Sequence, residues 1–261
     1  MTIILLKIAV GFVVGALMGM TGLGGGVLLL PLLILALHVP PLVAIGSGTA
    51  FAAFTKAGAA ATYWKRRHVD WPLVGCMSIG SIPASLAGIA LLGLLRSHYG
   101  DGLNKGLSVA IGILLLVIAS ASMWQSPIQN EKGTALRQRV WHRIGPKTGG
   151  VITGVVGGFL VGATSIGAGS VIMILLILFY NRPPRVLVGT DIFHGLILTA
   201  VATLGQLQLH TVDRALVVAL LIGSLPGVLF GSKLNEVVPS ARLRQLLLAV
   251  LIVTGLAMAT G

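Results

Sequence analysis

The chain has 261 residues, 56% of them hydrophobic and only 9% charged, with a mean hydropathy of +1.00. A soluble domain carries about 25% charged residues, so this composition excludes a water-soluble globule and points to lipid as the solvent. The net charge of +12 sits in short clusters between long apolar runs, the cytoplasmic-loop pattern of membrane proteins rather than a nucleic-acid surface, and one cysteine, Cys76, excludes an internal disulfide or a zinc cluster.

The first apolar run predicts a helix over about 3–20, read as retained because no small-residue cleavage site follows a short apolar core. A glycine-rich break spans Gly19–Gly26, and a short helix is expected over 27–37. The Pro40-Pro41 corner ends it, because proline disfavours helix in the residue before it. Ordinary spans are expected at about 42–63, 71–94 and 103–123. About 20 apolar residues suffice to cross a bilayer, and the charge-free gaps from Lys7 to Lys56, Asp70 to Arg96 and Lys105 to Glu131 all allow it. Gln125–Gly149 holds most of the polar residues and reads as a linker. The same series then returns as helices at 150–163 and 170–180, a Pro183-Pro184 corner, and spans at 185–206, 213–235 and 241–260.

The second series matches the first at an offset of 143 residues without a gap. Gly19–Gly26 falls on Gly162–Gly169, Leu32–Leu35 on Leu175–Leu178, and Pro40-Pro41 on Pro183-Pro184. Val69-Asp70 falls on Val212-Asp213, and Ile79–Pro83 on Ile222–Pro226. The expected organisation is a first transmembrane repeat at 1–124, a cytoplasmic linker at 125–149 and a second repeat at 150–261.

Loop charges choose the relative orientation of the copies. If the stretch from Ile3 to Leu37 crosses the membrane, the copies are parallel and the loop cations divide ten against seven. If it dips in and returns, each copy has three crossings and the copies are inverted. The cations then divide thirteen against four, with only Lys7, Arg96, Lys105 and Arg214 on the poorer face. The expected fold is therefore an all-α integral membrane protein of two tandem inverted repeats. Each holds a re-entrant or broken helix hairpin plus three transmembrane helices. Both termini are expected outside and the linker in the cytoplasm.

Inverted repeats with broken helices are the usual build of secondary transporters, with the site near the midplane where the repeats meet. Non-helical backbone inside a membrane is tolerated only where it is buried in protein or lines a cavity, and helix N-termini after such breaks suit an anion. The candidate substrate-binding residues are Thr21, Gly22, Gly24, Gly25 and Gly26 at the first break, and Thr164, Ser165, Gly167, Gly169 and Ser170 at the second. Ser47, Thr49 and Thr190, early in the third helix of each copy, are expected to line the cavity or to bond their own helix. Glycines that merely let helices pack closely are the alternative.

The G-x-x-G-x-G-G-G stretch at Gly19–Gly26, followed by Pro31, by Ser47–Thr49 and by a basic loop ending Val69-Asp70-Trp71, resembles the TauE/SafE sulfite exporter family. The second-copy pattern Gly162–Gly169 fits that family's second half. The resemblance implies a bacterial inner-membrane carrier of small sulfur-containing anions such as sulfite, thiosulfate or organosulfonates, with export the commoner direction. This chain has Ser165 and Ala168 where its first copy has glycines, and Asp191 where it has Gly48.

Charged groups inside spans are costly and usually functional. Lys56 either snorkels or serves an anion or a carboxylate, and an ion pair with Asp191 is plausible in the inverted arrangement. His194 lies at i+3 from Asp191 on the same helix face, where either the two together carry a coupling proton or His194 is a satisfied structural histidine. The coupling ion, proton or sodium, stays open, and no cofactor, metal or nucleic acid is expected. No HExxH and no paired membrane carboxylates occur, so an enzyme is not expected. The alternatives to an anion carrier are a non-transporting assembly or scaffold protein and a carrier of a different small ion. The orientation is testable by cysteine accessibility: in a Cys76→Ala background, Pro40→Cys and Pro183→Cys are expected to label from opposite faces, and labelling from one face refutes the inversion.

Overall fold

The computed structural model describes residues 2–21, 26–65, 67–100, 102–128, 145–167, 169–180, 182–235 and 240–260, and every regular element among them is helical. The first copy holds α1 (Thr2–Thr21), α2 (Gly26–Pro31, continued by a π-helical turn at Leu32–Ala36), α3 (Pro41–Lys65), α4 (Trp71–Tyr99) and α5 (Gly102–Ile128). The second holds α6 (Pro146–Thr164), α7 (Val171–Phe179), α8 (Pro184–Gln208), α9 (Arg214–Asn235) and α10 (Ser240–Thr260). Among the described residues five stretches are long and apolar enough to cross a membrane: Pro41–Lys65, Trp71–Tyr99, Gly102–Met123, Arg185–Gln208 and Arg214–Gly231. The apolar part of α10 is only Leu247–Thr260, because Arg242 and Arg244 stand near its start.

Helix reaches further into the expected linker than the polar composition indicates. α5 runs to Ile128, and α6 begins at Pro146, where a proline in the first turn sacrifices no hydrogen bond. Residues 129–144 lie outside the described residues. Large apolar side chains crowd the outer surface, among them Ile79 at 70% and Leu225 at 69% exposed. Such a surface is an aggregation hazard in water and a matched surface in lipid.

Glycine decides which helices touch. A Cβ on Gly11 would meet Leu220, and one on Gly15 would meet Ser224. From the other side, Gly223, Gly227 and Gly231 press on Ile8, Phe12 and Ala16. Numbering rises together on both helices, so α1 and α9 run parallel, backbone against backbone. The same holds for α6 and α4: Gly154, Gly158 and Gly162 lie on Met77, Ser81 and Ser85. The four-residue spacing lines these glycines on one face, as in close membrane helix pairs. Each copy's first helix therefore docks on the other copy's fourth.

α3 and α8 pair in the opposite sense. Gly46 lies on Thr211, Lys56 on Gly195, and Gly189 on Tyr63 and His68, so one number falls as the other rises. In the second copy the chain turns back on itself. Gly157 touches Ile172, while Gly149 and Gly150 lie near Tyr180, so α6 and α7 form an antiparallel hairpin. Its tip falls beside Gly88, well short of the end of α4 at Tyr99.

Two matched locks tie the copies together. The Asp70 carboxylate caps α4 by accepting from the Leu73 N–H at 3.3 Å, and Asp213 caps α9 by accepting from the Leu216 N–H at 3.0 Å. The Asp70 N–H donates to the Thr190 hydroxyl at 3.0 Å, and the Asp213 N–H donates to the Ser47 hydroxyl at 3.0 Å. Each carboxylate also meets a cation, Arg182 at 3.2 Å from Asp70 and Lys7 at 3.9 Å from Asp213. Thr190, Ser47, Arg182 and Lys7 each lie in the copy opposite their aspartate.

Pro83 and Pro226, each inside a span, face outward from α4 and α9. Cys76 packs beside Gly150, as a small apolar residue would.

Substitution at the glycine faces tests this packing. Gly158→Leu and Gly227→Leu are each expected to destabilise the fold by about 3 kcal/mol or more, since backbone occupies the space the side chain needs. Gly106→Leu, with nothing within 4 Å, is expected to be neutral. Thermal melting in detergent followed by size-exclusion chromatography reads the difference.

Candidate functional site

The α3–α8 crossing carries the buried charges. Lys56 is 6% exposed and Asp191 5%, and His194 is fully buried. Lys56 does not reach for the membrane surface. Its side chain lies along α8 at Gly195, where an added methyl would stand 2.5 Å from Nζ and 3.0 Å from Cε. Glycine at 195 thus makes the room that the ammonium occupies. The anticipated Lys56–Asp191 ion pair is not closed: among the described residues the ion pairs are Lys7–Asp213 and Arg182–Asp70. Lys56 is still near enough for its charge to act on both Asp191 and His194.

α4 adds a polar stripe absent from the sequence-derived candidates. Ser81 is fully buried, and its Oγ lies 2.8 Å from His194 Nε2. Ser78, Ser81 and Ser85 share one face at helical spacing, a sequence signal that would have found them. His194 Nδ1, Asp191 Oδ1 and the hydroxyls of Ser78 and Ser85 are buried with no hydrogen-bond partner among the described residues. A polar group buried dry and unpaired costs about 1–3 kcal/mol, so these groups on α4 and α8 make a candidate site for polar ligands.

The tip of the α6–α7 hairpin supplies a second polar patch. Ser165 takes a left-handed conformation at φ 59°, and Gly167 and Gly169 stand at φ 137° and 108°, conformations that suit glycine. The Thr164 hydroxyl is engaged in ending α6: it donates to Leu160 O at 2.8 Å and accepts from the Ile166 N–H at 3.2 Å. The Ser165 and Ser170 hydroxyls are buried and have no partner among the described residues. Gly48 on α3 faces this tip, where a Cβ would stand 3.1 Å from Ser165 Oγ. Of the first break, Thr21 ends α1 and Gly26 opens α2, while Gly22, Gly24 and Gly25 lie outside the described residues.

The remaining candidates are engaged elsewhere. Thr49 donates to Gly46 O of its own helix at 2.7 Å. Thr190 donates to Val186 O at 2.7 Å while accepting from Asp70, and Ser47 accepts from Asp213. Hydroxyls, an ammonium and a helix N-terminus suit a small oxyanion. Among the described residues no group of three His, Cys, Asp or Glu is placed to hold a metal.

Comparison with known proteins agrees with this architecture. The family described as "Sulfite exporter TauE/SafE" matches residues 7–258. The chain is 34% identical over 262 residues to the probable membrane transporter protein YjnA of Bacillus subtilis (strain 168), covering 95% of this chain and 97% of that one. It is 25% identical to the probable membrane transporter protein YdhB of the same organism, covering 97% and 98% of the two chains. It is 26% identical to the probable membrane transporter protein YunE, also from that organism, covering 95% and 94%. No solved structure matches the chain. A multi-pass helical chain matched over almost its whole length, with relatives named as membrane transporters, belongs to the TauE/SafE sulfite exporter family and is a membrane transporter.

Proposed function

We propose that the protein is a secondary carrier that exports a small sulfur-containing anion (sulfite, thiosulfate or an organosulfonate) across the bacterial inner membrane. The observation that carries this reading is Lys56, a buried cation at mid-helix on the same helix that meets the Ser165 tip through Gly48. Gly48 and Lys56 stand eight residue steps apart, about 12 Å along the helix. At that distance a unit charge is worth about 1 kcal/mol to an anion at an effective dielectric of about 20. The Ser165 and Ser170 hydroxyls supply direct contacts. The substrate class rests on the family's description.

The antiparallel register of α3 against α8 supports an inverted relation between the copies, because copies of one orientation would set these equivalent helices parallel. With the linker in the cytoplasm and both termini in the periplasm, the cation bias of thirteen to four is satisfied. The second reading, a carrier of a different small ion, is favoured only by the unpartnered Asp191 carboxylate.

Flux into proteoliposomes separates these readings. At least one of sulfite, thiosulfate and sulfoacetate is expected to move faster than into protein-free vesicles, with chloride the control. Lys56→Met is expected to abolish that flux. Ser170→Ala is expected to raise KM about tenfold, since a hydrogen bond to a charged group is worth about 1.5–3 kcal/mol. Absence of any sulfur-anion flux in the unsubstituted protein would refute the anion reading.

A further inference from the structure

The buried polar groups at the α3–α8 crossing occur once, not twice. At the offset of 143 residues, Gly48 and Phe51 stand in the first copy where Asp191 and His194 stand in the second. The first copy thus builds its side of the crossing from a fully buried Phe51. Ser224, the counterpart of Ser81, returns its hydroxyl to Leu221 O of its own helix at 3.2 Å. The architecture therefore stands without this cluster on one side and carries it on the other.

Within the cluster each atom has a distinct place. His194 Nε2 is held by Ser81 Oγ at 2.8 Å, which leaves Nδ1, unpartnered among the described residues, as the ring atom that gains or loses a proton. The Ser81 hydroxyl then accepts from Nε2–H whether or not Nδ1 carries a proton, which holds the ring in one tautomer and orientation. Asp191, one turn earlier on the same face, presents an unpartnered Oδ1. Lys56 faces the pair from α3. Among the described residues no other element brings a charge to it: α7 carries no ionisable side chain, Lys147 stands in the first turn of α6, and on α4 Cys76 faces Gly150 while Arg96 and His98 lie in the last turn. A sodium ion would have to share this space with the Lys56 ammonium, whereas a proton only changes the charge of groups already present.

We propose that His194 and Asp191 form a proton-carrying centre, with Ser81 its positioning residue, that couples proton movement to anion movement. The proposal rests on the anion-carrier reading. With the centre deprotonated, the Asp191 carboxylate competes with the anion for Lys56. With it protonated, the anion alone balances the ammonium. Proton and anion therefore favour each other's binding, reciprocally. The proton enters from water at one face and leaves with the anion at the other, and an outward anion gradient carries it out.

The test uses the full chain in proteoliposomes with radiolabelled sulfite and thiosulfate. Unsubstituted protein is expected to show counterflow at equal pH, and an acid-outside gradient is expected to raise initial uptake at least about fivefold. Ser81→Ala is expected to lose most of the pH response, read as the ratio of initial uptake with and without the gradient, and His194→Gln to lose it as well. Retention of the full response by either substitution overturns the proposal, as does stimulation of the unsubstituted protein by a sodium gradient in place of the pH gradient. Counterflow without any pH response in the unsubstituted protein also overturns it while leaving the carrier reading intact. Absence of counterflow at every pH overturns the carrier reading itself. Should Ser81→Ala fail to insert, the unsubstituted protein and His194→Gln decide.

Discussion

Backbone against backbone, the glycine faces of α1 with α9 and of α4 with α6 are the contacts on which the rest of the molecule depends. Lipid offers no hydrophobic drive for helices to associate, so close approach of small residues must supply the attraction. Because each pair joins one copy to the other, neither copy completes its own packing. The pairs also set the depth at which the α6–α7 hairpin stops, beside Gly88, and so where its polar tip lies. The matched locks at Asp70 and Asp213 fix the ends of the same arrangement, where one carboxylate caps a helix, meets a cation and sits on a backbone N–H bonded to the opposite copy.

Much of this was legible in the sequence. The Pro40-Pro41 and Pro183-Pro184 corners open α3 and α8 at Pro41 and Pro184, and Asp70 and Asp213 open α4 and α9 as caps. Proline and aspartate act locally, so their effect is written in neighbouring residues. The roles of Ser47 and Thr190 are set by long-range partners more than a hundred residues away, which no local pattern reveals. The burial of Lys56 depends on a glycine across the helix crossing, and composition alone leaves snorkelling equally open. Ser81 was within reach: three serines at helical spacing on an apolar span are a polar stripe, and α8 had already offered a histidine to face it.

The site divides its work between two places. The hairpin tip offers uncharged hydroxyls and glycine backbone at positive φ, and the helix crossing offers charge. For the proposed oxyanion, hydroxyl contacts would give recognition without binding so tight that release becomes slow. A charge at a distance raises attraction with little directional demand. Keeping the ammonium flanked by Asp191 and His194 rather than locked in a closed ion pair leaves its balance adjustable.

The one-sidedness of the crossing bears on how such a chain can be assembled from halves. A dimer of two first copies would bury two lysines at the crossing and no carboxylate. A dimer of two second copies would bury two aspartates and no ammonium. Each unbalanced ion inside a protein costs several kcal/mol even after relaxation. Only the fused chain, with Thr199 opposite Lys56 and Gly48 opposite Asp191 at the offset of 143, holds one charge of each sign. Covalent linkage of the copies thus does more than keep them together: it guarantees that every folded molecule receives one half of each kind.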